Sequence, residues 1–144
     1  MDAPGFSLAQ FVQAQQPVYD DVRAELSAGR KQSHWMWFIF PQLTVLGRSA
    51  MARLYGLASA QQALDYWQHP VLGPRLLECT QLVLGHRDRT AHEIFGSPDD
   101  LKFRSCMTLF AQVAVEEPSF GEAIGCFYAG LPDAVTLDYL KKYG

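Results

Sequence analysis

Apolar positions along this chain recur at helical spacing in nearly every segment, and the residues between segments are those of helix ends. Ser7 can cap a short helix that gathers Leu8, Phe11 and Val12 on one face. Pro17 suits the first turn of a second helix running to about Ser27, with Val18, Val22 and Leu26 along one stripe and Gly29 placed to end it. Asp20 and Asp21 lie near its start, where the helix dipole favours carboxylates. The run Trp35-Met36-Trp37-Phe38-Ile39-Phe40 has strand propensity but no partner strand nearby. It is therefore expected as a short helix or turn, buried on most sides and stopped by Pro41.

Further along, Ser49 to Tyr55 predicts a helix ended by Gly56. Ser59-Ala60-Gln61-Gln62 and Thr90-Ala91-His92-Glu93 are capping boxes, for a helix to Gln68 and for one short turn through Phe95. His69 to Pro74 opens a helix that carries Leu76, Leu77, Leu82 and Leu84 to Gly85. In Ser97-Pro98-Asp99-Asp100 a capping serine precedes proline and two acids, which predicts a helix to about Val115. Pro118 and Pro132 open two more, the first ending at Gly130. The expected architecture is all-α: residues 1–144 as one compact single-domain bundle of roughly seven to nine short helices.

Composition agrees with a packed core. Of 144 residues, 49% are hydrophobic and only 19% charged, against about 25% in an average soluble domain. The net charge of −3 weighs against nucleic acid as a partner. No apolar stretch reaches the ~18–20 residues of a membrane span. The opening Met1-Asp2-Ala3-Pro4-Gly5 has neither the cationic nor the apolar region of a signal peptide. Cys79, Cys106 and Cys126 show no paired spacing, so reduced thiols and a cytoplasmic location are expected.

Charge placement adds the candidate chemistry. From Leu26 to Leu64 there is no Asp or Glu, while the same stretch holds Arg30, Lys31, His34, Arg48 and Arg53 among Trp35, Trp37, Phe38 and Phe40. Cations suit phosphate or carboxylate and indole faces suit a flat ring, so the segment suits a nucleotide-like ligand. The plainer alternative is a solvated basic turn beside core aromatics. Ser33, His34 and Gln42 bracket the apolar run. His34 is either a general acid or base or a hydrogen-bonded structural histidine, and Ser33 either a ligand contact or a helix cap. On the helix from Pro98, Lys102, Ser105, Cys106 and Leu109 share a face, with Asp99 one turn before Lys102. They form either a polar wall or a surface ion pair. Thr108 is offset and can bond back to its own helix. The four histidines lack metal-ligand spacing, and no glycine-rich phosphate loop or GxSxG elbow occurs.

These residues also carry a resemblance. Leu8–Gln15, Gly29–Leu43 with its Lys31-Gln32-Ser33-His34-Trp35-Met36-Trp37-Phe38-Ile39-Phe40-Pro41-Gln42-Leu43 motif, His69–Leu76, and Ile94–Lys102 leading into Ser105–Phe110 resemble a bacterial and fungal domain-of-unknown-function family. Its members are sometimes labelled "calpastatin". True calpastatins are disordered repeat proteins and this composition is globular, so that label carries no function here. Where this chain has Cys106, the family commonly has a second serine. The family is distantly similar to the NADAR superfamily, helical proteins linked to ADP-ribose-type metabolism and N-glycosidic bond cleavage.

The resemblance implies an all-helical fold and a phosphorylated, nucleotide- or ADP-ribose-like ligand. In the hydrolase version, Asp99 or Asp100 stabilises an oxocarbenium-like transition state or orients water, with His34 as the acid–base candidate. The substrate-binding set is Lys31, Ser33, Trp35, Trp37, Gln42, Arg48, Lys102 and Ser105. No metal or cofactor is expected. The partner is an anionic small molecule, with no membrane and no nucleic acid. The alternative is a non-catalytic metabolite-sensing or protein-interaction module. The two part on the aromatics: an open pocket lined by Trp35, Lys31 and Lys102 suits the hydrolase, and a fully buried cluster suits the module.

Overall fold

Side-chain capping fixes the start of five of the ten helices in the computed structural model, which describes residues 7–144. Ten α-helices and one 3-10 turn follow in order among these residues: α1 (Leu8–Gln15), α2 (Tyr19–Ser27), α3 (Met36–Ile39), the 3-10 turn Thr44–Leu46, α4 (Ala50–Leu54), α5 (Ala60–Gln68), α6 (Leu72–Leu84), α7 (Ala91–Phe95), α8 (Asp99–Val113), α9 (Ser119–Phe127) and α10 (Ala134–Tyr143). The all-α class stands. The helix number exceeds the expected seven to nine because the short segments α3, α4 and α7 all close as separate helices. Ser7, Ser49, Ser59, Thr90 and Asp133 each accept a hydrogen bond from a first-turn amide, and Thr90 and Glu93 form a reciprocal capping box.

Several boundaries differ from expectation: α2 starts at Tyr19 after Val18 in the cap position, which leaves Pro17 outside its first turn; α9 ends at Phe127, with Tyr128 as its cap, before Gly130; and the start of α8 is not the one expected. Ser97 does not cap α8; Pro98 occupies the cap position, no side chain caps the helix, and α8 ends at Val113 rather than Val115. Proline therefore precedes the helix instead of forming its first turn, and the Ser97–Pro98 peptide is cis. Asp99 and Asp100 still fall in the first turn, where the dipole favours them.

The long helix α8 is the centre of the fold and packs against α5, α7, α9 and α10, while α6 packs against α2, α5 and α9. Phe103, Cys106, Met107, Leu109 and Phe110 of α8 are all fully buried. Phe40, just after α3, meets Phe103 edge-on at 5.0 Å, and Phe95 of α7 stacks on Phe103 at 4.7 Å. The expected burial of the 35–40 run therefore holds, with helix rather than strand geometry. A buried amide fixes its far side: Gln15 Nε2 donates to the Phe38 carbonyl at 2.6 Å and to the Tyr66 hydroxyl at 3.0 Å. The corner between α5 and α6 requires glycine, because a Cβ on Gly73 would lie 2.0 Å from the Trp67 carbonyl oxygen.

The segment from Thr44 to Gly56 is a loop closed at its base. Thr44 N–H donates to Leu57 O at 2.9 Å and Leu57 N–H donates to Gln42 O at 3.0 Å, forming a lone parallel bridge between Leu43 and Leu57. Gly56 permits that approach, since a Cβ there would meet Thr44 Oγ1 at 2.5 Å. Among the described residues no helix is long and apolar enough to cross a membrane. The expectation for Met1–Gly5 lies outside the described residues.

Candidate functional site

The tryptophan loop is organised by a carboxylate outside the motif. Glu25, in the last turn of α2, accepts from Gln32 N–H at 2.7 Å, Ser33 N–H at 2.8 Å, Ser33 Oγ–H at 2.7 Å and Trp35 Nε1–H at 3.0 Å. Burial pushes this carboxyl up, but the hydrogen bonds from Gln32, Ser33 and Trp35 outweigh it and hold the group below its usual 4.5. Trp35 is fully buried. Lys31 enters from the other side: its N–H donates to Ile94 O at 2.7 Å, and its ammonium lies 5.1 Å over the Trp35 ring.

A carboxylate of α8 then joins two lysines. Asp99 Oδ2 is 2.9 Å from Lys31 Nζ and Oδ1 is 3.5 Å from Lys102 Nζ. The Lys31 side chain is 8% exposed, Asp99 20% and Lys102 25%, so the triad runs from the interior towards solvent. Lys102 also lies 5.7 Å over the Trp37 ring.

Beyond Lys102 the surface opens into a cleft of about 440 Å³ between α8 and the 42–52 segment, within the ~300–1,000 Å³ range of small-molecule sites. One wall is a single face of α8: Leu101, Lys102 and Ser105, with Pro98 leading in. The other is Gln42, Leu46, Arg48, Ser49 and Ala52. Arg48 and Lys102 are the charged members, and no acid is among the lining residues. Among the described residues the side chains of Arg48 and Gln42 have no hydrogen bond or ion pair. The apolar wall is aliphatic. Trp37, Phe40 and Tyr55 instead line a narrow adjoining cavity of about 10 Å³, which shares Gln42, Ala52 and Lys102 with the cleft. Ser105 Oγ–H donates to Leu101 O at 3.2 Å, leaving its oxygen available as an acceptor.

With this geometry in place, comparison with known proteins is direct. A family model described as "Protein of unknown function (DUF1810)" matches residues 5–140. The chain belongs to the DUF1810 family. A similar DUF1810-type fold occurs in the crystal structure of the conserved hypothetical protein Rv1873 from Mycobacterium tuberculosis, with 50% identity, a TM-score of 0.92, and coverage of 94% of this chain and 97% of that one. No curated protein matches the chain.

In this DUF1810 chain the expected site residues separate into three groups. Gln42, Arg48, Lys102 and Ser105 line one cleft. Lys31, Asp99, Trp35 and Trp37 stand behind it, linked through the ion triad and the lysine–indole contacts. Ser33 and His34 do not line it: Ser33 is tied to Glu25, and exposed His34 has no hydrogen bond or ion pair among the described residues. Asp100 is also engaged elsewhere. Its Oδ1 accepts from Leu101 N–H at 2.9 Å and its Oδ2 lies 3.6 Å from His92 Nδ1. Its carbonyl accepts from the Tyr128 hydroxyl.

Among the described residues no cluster of three or more His, Cys, Asp or Glu could hold a metal ion. Burial pushes the Cys106 thiol well up and the Cys79 thiol up to about 12, so neither is a ready thiolate. The residue that motif reading missed is Glu25, which sits one position before the acid-free stretch. A carboxylate in the last turn of a helix opposes the dipole unless something pairs with it, and that was the available signal.

Proposed function

We propose that this protein is a binding module for a small phosphorylated metabolite of nucleotide- or ADP-ribose-like character. The observation that carries the reading is the convergence of Arg48 and Lys102 on one cleft that has no acidic lining residue. Arg48 supplies a fork of donors to a phosphoryl group, Lys102 a point charge, and Gln42 an uncommitted amide. Leu46, Ala52 and Leu101 give the rest of the ligand an apolar wall. Trp35 is not offered to a ring, because it is fully buried and its N–H is held by Glu25. Trp37 is the indole nearest the cleft.

The N-glycosidase reading, which a NADAR-like resemblance would imply, has less support. Both oxygens of Asp99 are already on lysines, Asp100 accepts from Leu101 N–H and does not line the cleft, and neither does His34. A carboxylate so neutralised is poorly placed to stabilise an oxocarbenium-like charge. A module that binds without turning its ligand over fits these contacts better.

Thermal-shift and titration measurements with inorganic phosphate, ADP and ADP-ribose test the proposal. A ligand at 100 times its Kd stabilises by about 2.7 kcal/mol. Binding should weaken as salt rises and be lost in Arg48→Ala. No stabilisation by any of the three anions at low salt would overturn it.

A further inference from the structure

We propose that Asp99 is the internal counter-ion which an anion entering the cleft displaces from Lys102, and that Lys31 is the positioning residue that makes this exchange possible. The inference rests on the cleft being an anion site and concerns how that site is kept ready when empty.

The two halves of the triad are unequal. Lys31 is the deep partner: it is 2.9 Å from Asp99, 8% exposed, tied through its N–H to Ile94 O, and stacked over an indole that Glu25 holds. Lys102 is the shallow partner, at 3.5 Å and 25% exposed. It lines the cleft, and Lys31 does not. When Lys102 turns to an anion, Asp99 keeps its closer cation. Without Lys31 the carboxylate would have Lys102 alone, and drawing Lys102 away would leave a largely buried charge unpaired, which is costly. Lys31 therefore acts on the ligand through Asp99. Removing Lys31 tightens the hold on Lys102, and removing the Asp99 charge releases it. Trp37, under the Lys102 ammonium, gives that side chain a second favourable surface and so eases the change of partner.

The experiment uses the whole protein as Lys31→Met, Asp99→Asn and the double variant, with folding checked by circular dichroism. Methionine keeps the stem packed near Trp35 while deleting the charge. Inorganic phosphate is the titrant. In parallel, the acylation rate of Lys102 by an N-hydroxysuccinimide ester is read by peptide mass spectrometry, with and without phosphate. The expected results are phosphate affinity roughly tenfold weaker in Lys31→Met, severalfold tighter in Asp99→Asn, and close to Asp99→Asn in the double variant. Lys102 acylation should slow in Lys31→Met, quicken in Asp99→Asn, and be equally quick in the double variant. A loss on Lys31→Met that persists undiminished in the Asp99→Asn background overturns the inference, because Lys31 would then act on the ligand or the fold directly. Phosphate protection of Lys102 combined with acylation rates indifferent to Lys31 overturns this inference alone. Failure of phosphate to bind or to protect Lys102 in the unaltered protein overturns the cleft reading and this one together.

Discussion

In the loop from Lys31 to Phe40, the polar groups that face the fold end on protein partners, and the exposed His34 does not: Glu25 collects the backbone N–H groups of Gln32 and Ser33, the Ser33 hydroxyl and the Trp35 N–H, and Lys31 is paired with Asp99. A few residues on, from Gln42 to Ser49, the side chains of Gln42 and Arg48 end on no described protein group. Both regions combine cations with apolar surface, and both come from the same acid-free part of the chain. The difference lies in whether a carboxylate reaches them. Glu25 and Asp99 close the first region; no acid lines the second. Satisfied polar groups hold a loop in one shape, and unsatisfied solvent-facing ones leave binding capacity free.

Substitutions should therefore cost stability in the first region and affinity in the second. The largest effect is expected for Trp35→Ala, which deletes a fully buried indole; a loss of about 3–5 kcal/mol in urea unfolding is expected. A loss below about 1 kcal/mol would mean the loop is not part of the core. Next is Glu25→Ala, which strands the donors it collects and should cost about 2 kcal/mol at neutral pH.

That contribution also has a pH signature. The folded carboxyl lies below its usual 4.5, so the unfolded chain binds more protons in that window. The stabilisation is complete above 4.5 and fades as pH falls through the lower folded value. Unfolding curves from pH 7 down to about 3 should show this loss, and Glu25→Gln should flatten it. An identical acid profile in Glu25→Gln would exclude Glu25 as its source.

Smaller effects are expected on the cleft side. Ser49 is a wall residue and also caps α4 by accepting from Ala52 N–H at 3.1 Å. Ser49→Ala should cost about 1 kcal/mol, read as a lowered melting temperature. Arg48→Ala should change stability by less than about 0.5 kcal/mol, because an exposed side chain without a protein partner is removed. If Arg48→Ala melts as early as Glu25→Ala, the division between the regions fails.

Much of the fold was legible because its signals are local. Ser7, Ser49, Ser59 and Thr90 cap where their side-chain chemistry predicts, and Gly29 follows the cap of α2 with φ of +74°, whereas α9 ends at Phe127, before Gly130. Ser97 failed as a cap because proline after it occupies the cap position itself, a competition that residue preferences alone do not resolve. At the site, the α8 face Lys102–Ser105 followed from helical spacing. What spacing does not reveal is which cation is used up. Lys31 and Arg48 look alike in the chain, yet the Lys31 side chain is 8% exposed and ion-paired, whereas Arg48 is exposed. The partner that distinguishes them, Asp99, lies across the fold. Glu25 was hidden for the same reason: two of its four donors are backbone amides, which carry no sequence signal, and its side-chain donors Ser33 and Trp35 meet it only once the chain has turned back on α2.

The bridge between Leu43 and Leu57 has a consequence for how this protein can diversify. One wall of the cleft is carried on a loop whose two feet are clasped together, with Thr44 N–H on Leu57 O and Leu57 N–H on Gln42 O. Changes confined to its exposed positions, such as Val45 and Arg48, leave the clasp and the helical core in place, whereas Tyr55 belongs to the core, 5.6 Å from the Phe11 ring and 5.4 Å from that of Phe38. Lengthening a loop at exposed positions costs little, about 0.6 kcal/mol per doubling. The opposite wall belongs to α8, whose other faces are the core and cannot drift. The binding surface is thus half inherited and half exchangeable: a fixed jaw cut into the scaffold and a partly replaceable jaw clipped onto it, so that new ligand shapes can be explored by editing the exposed positions between Thr44 and Gly56 without asking the bundle to refold.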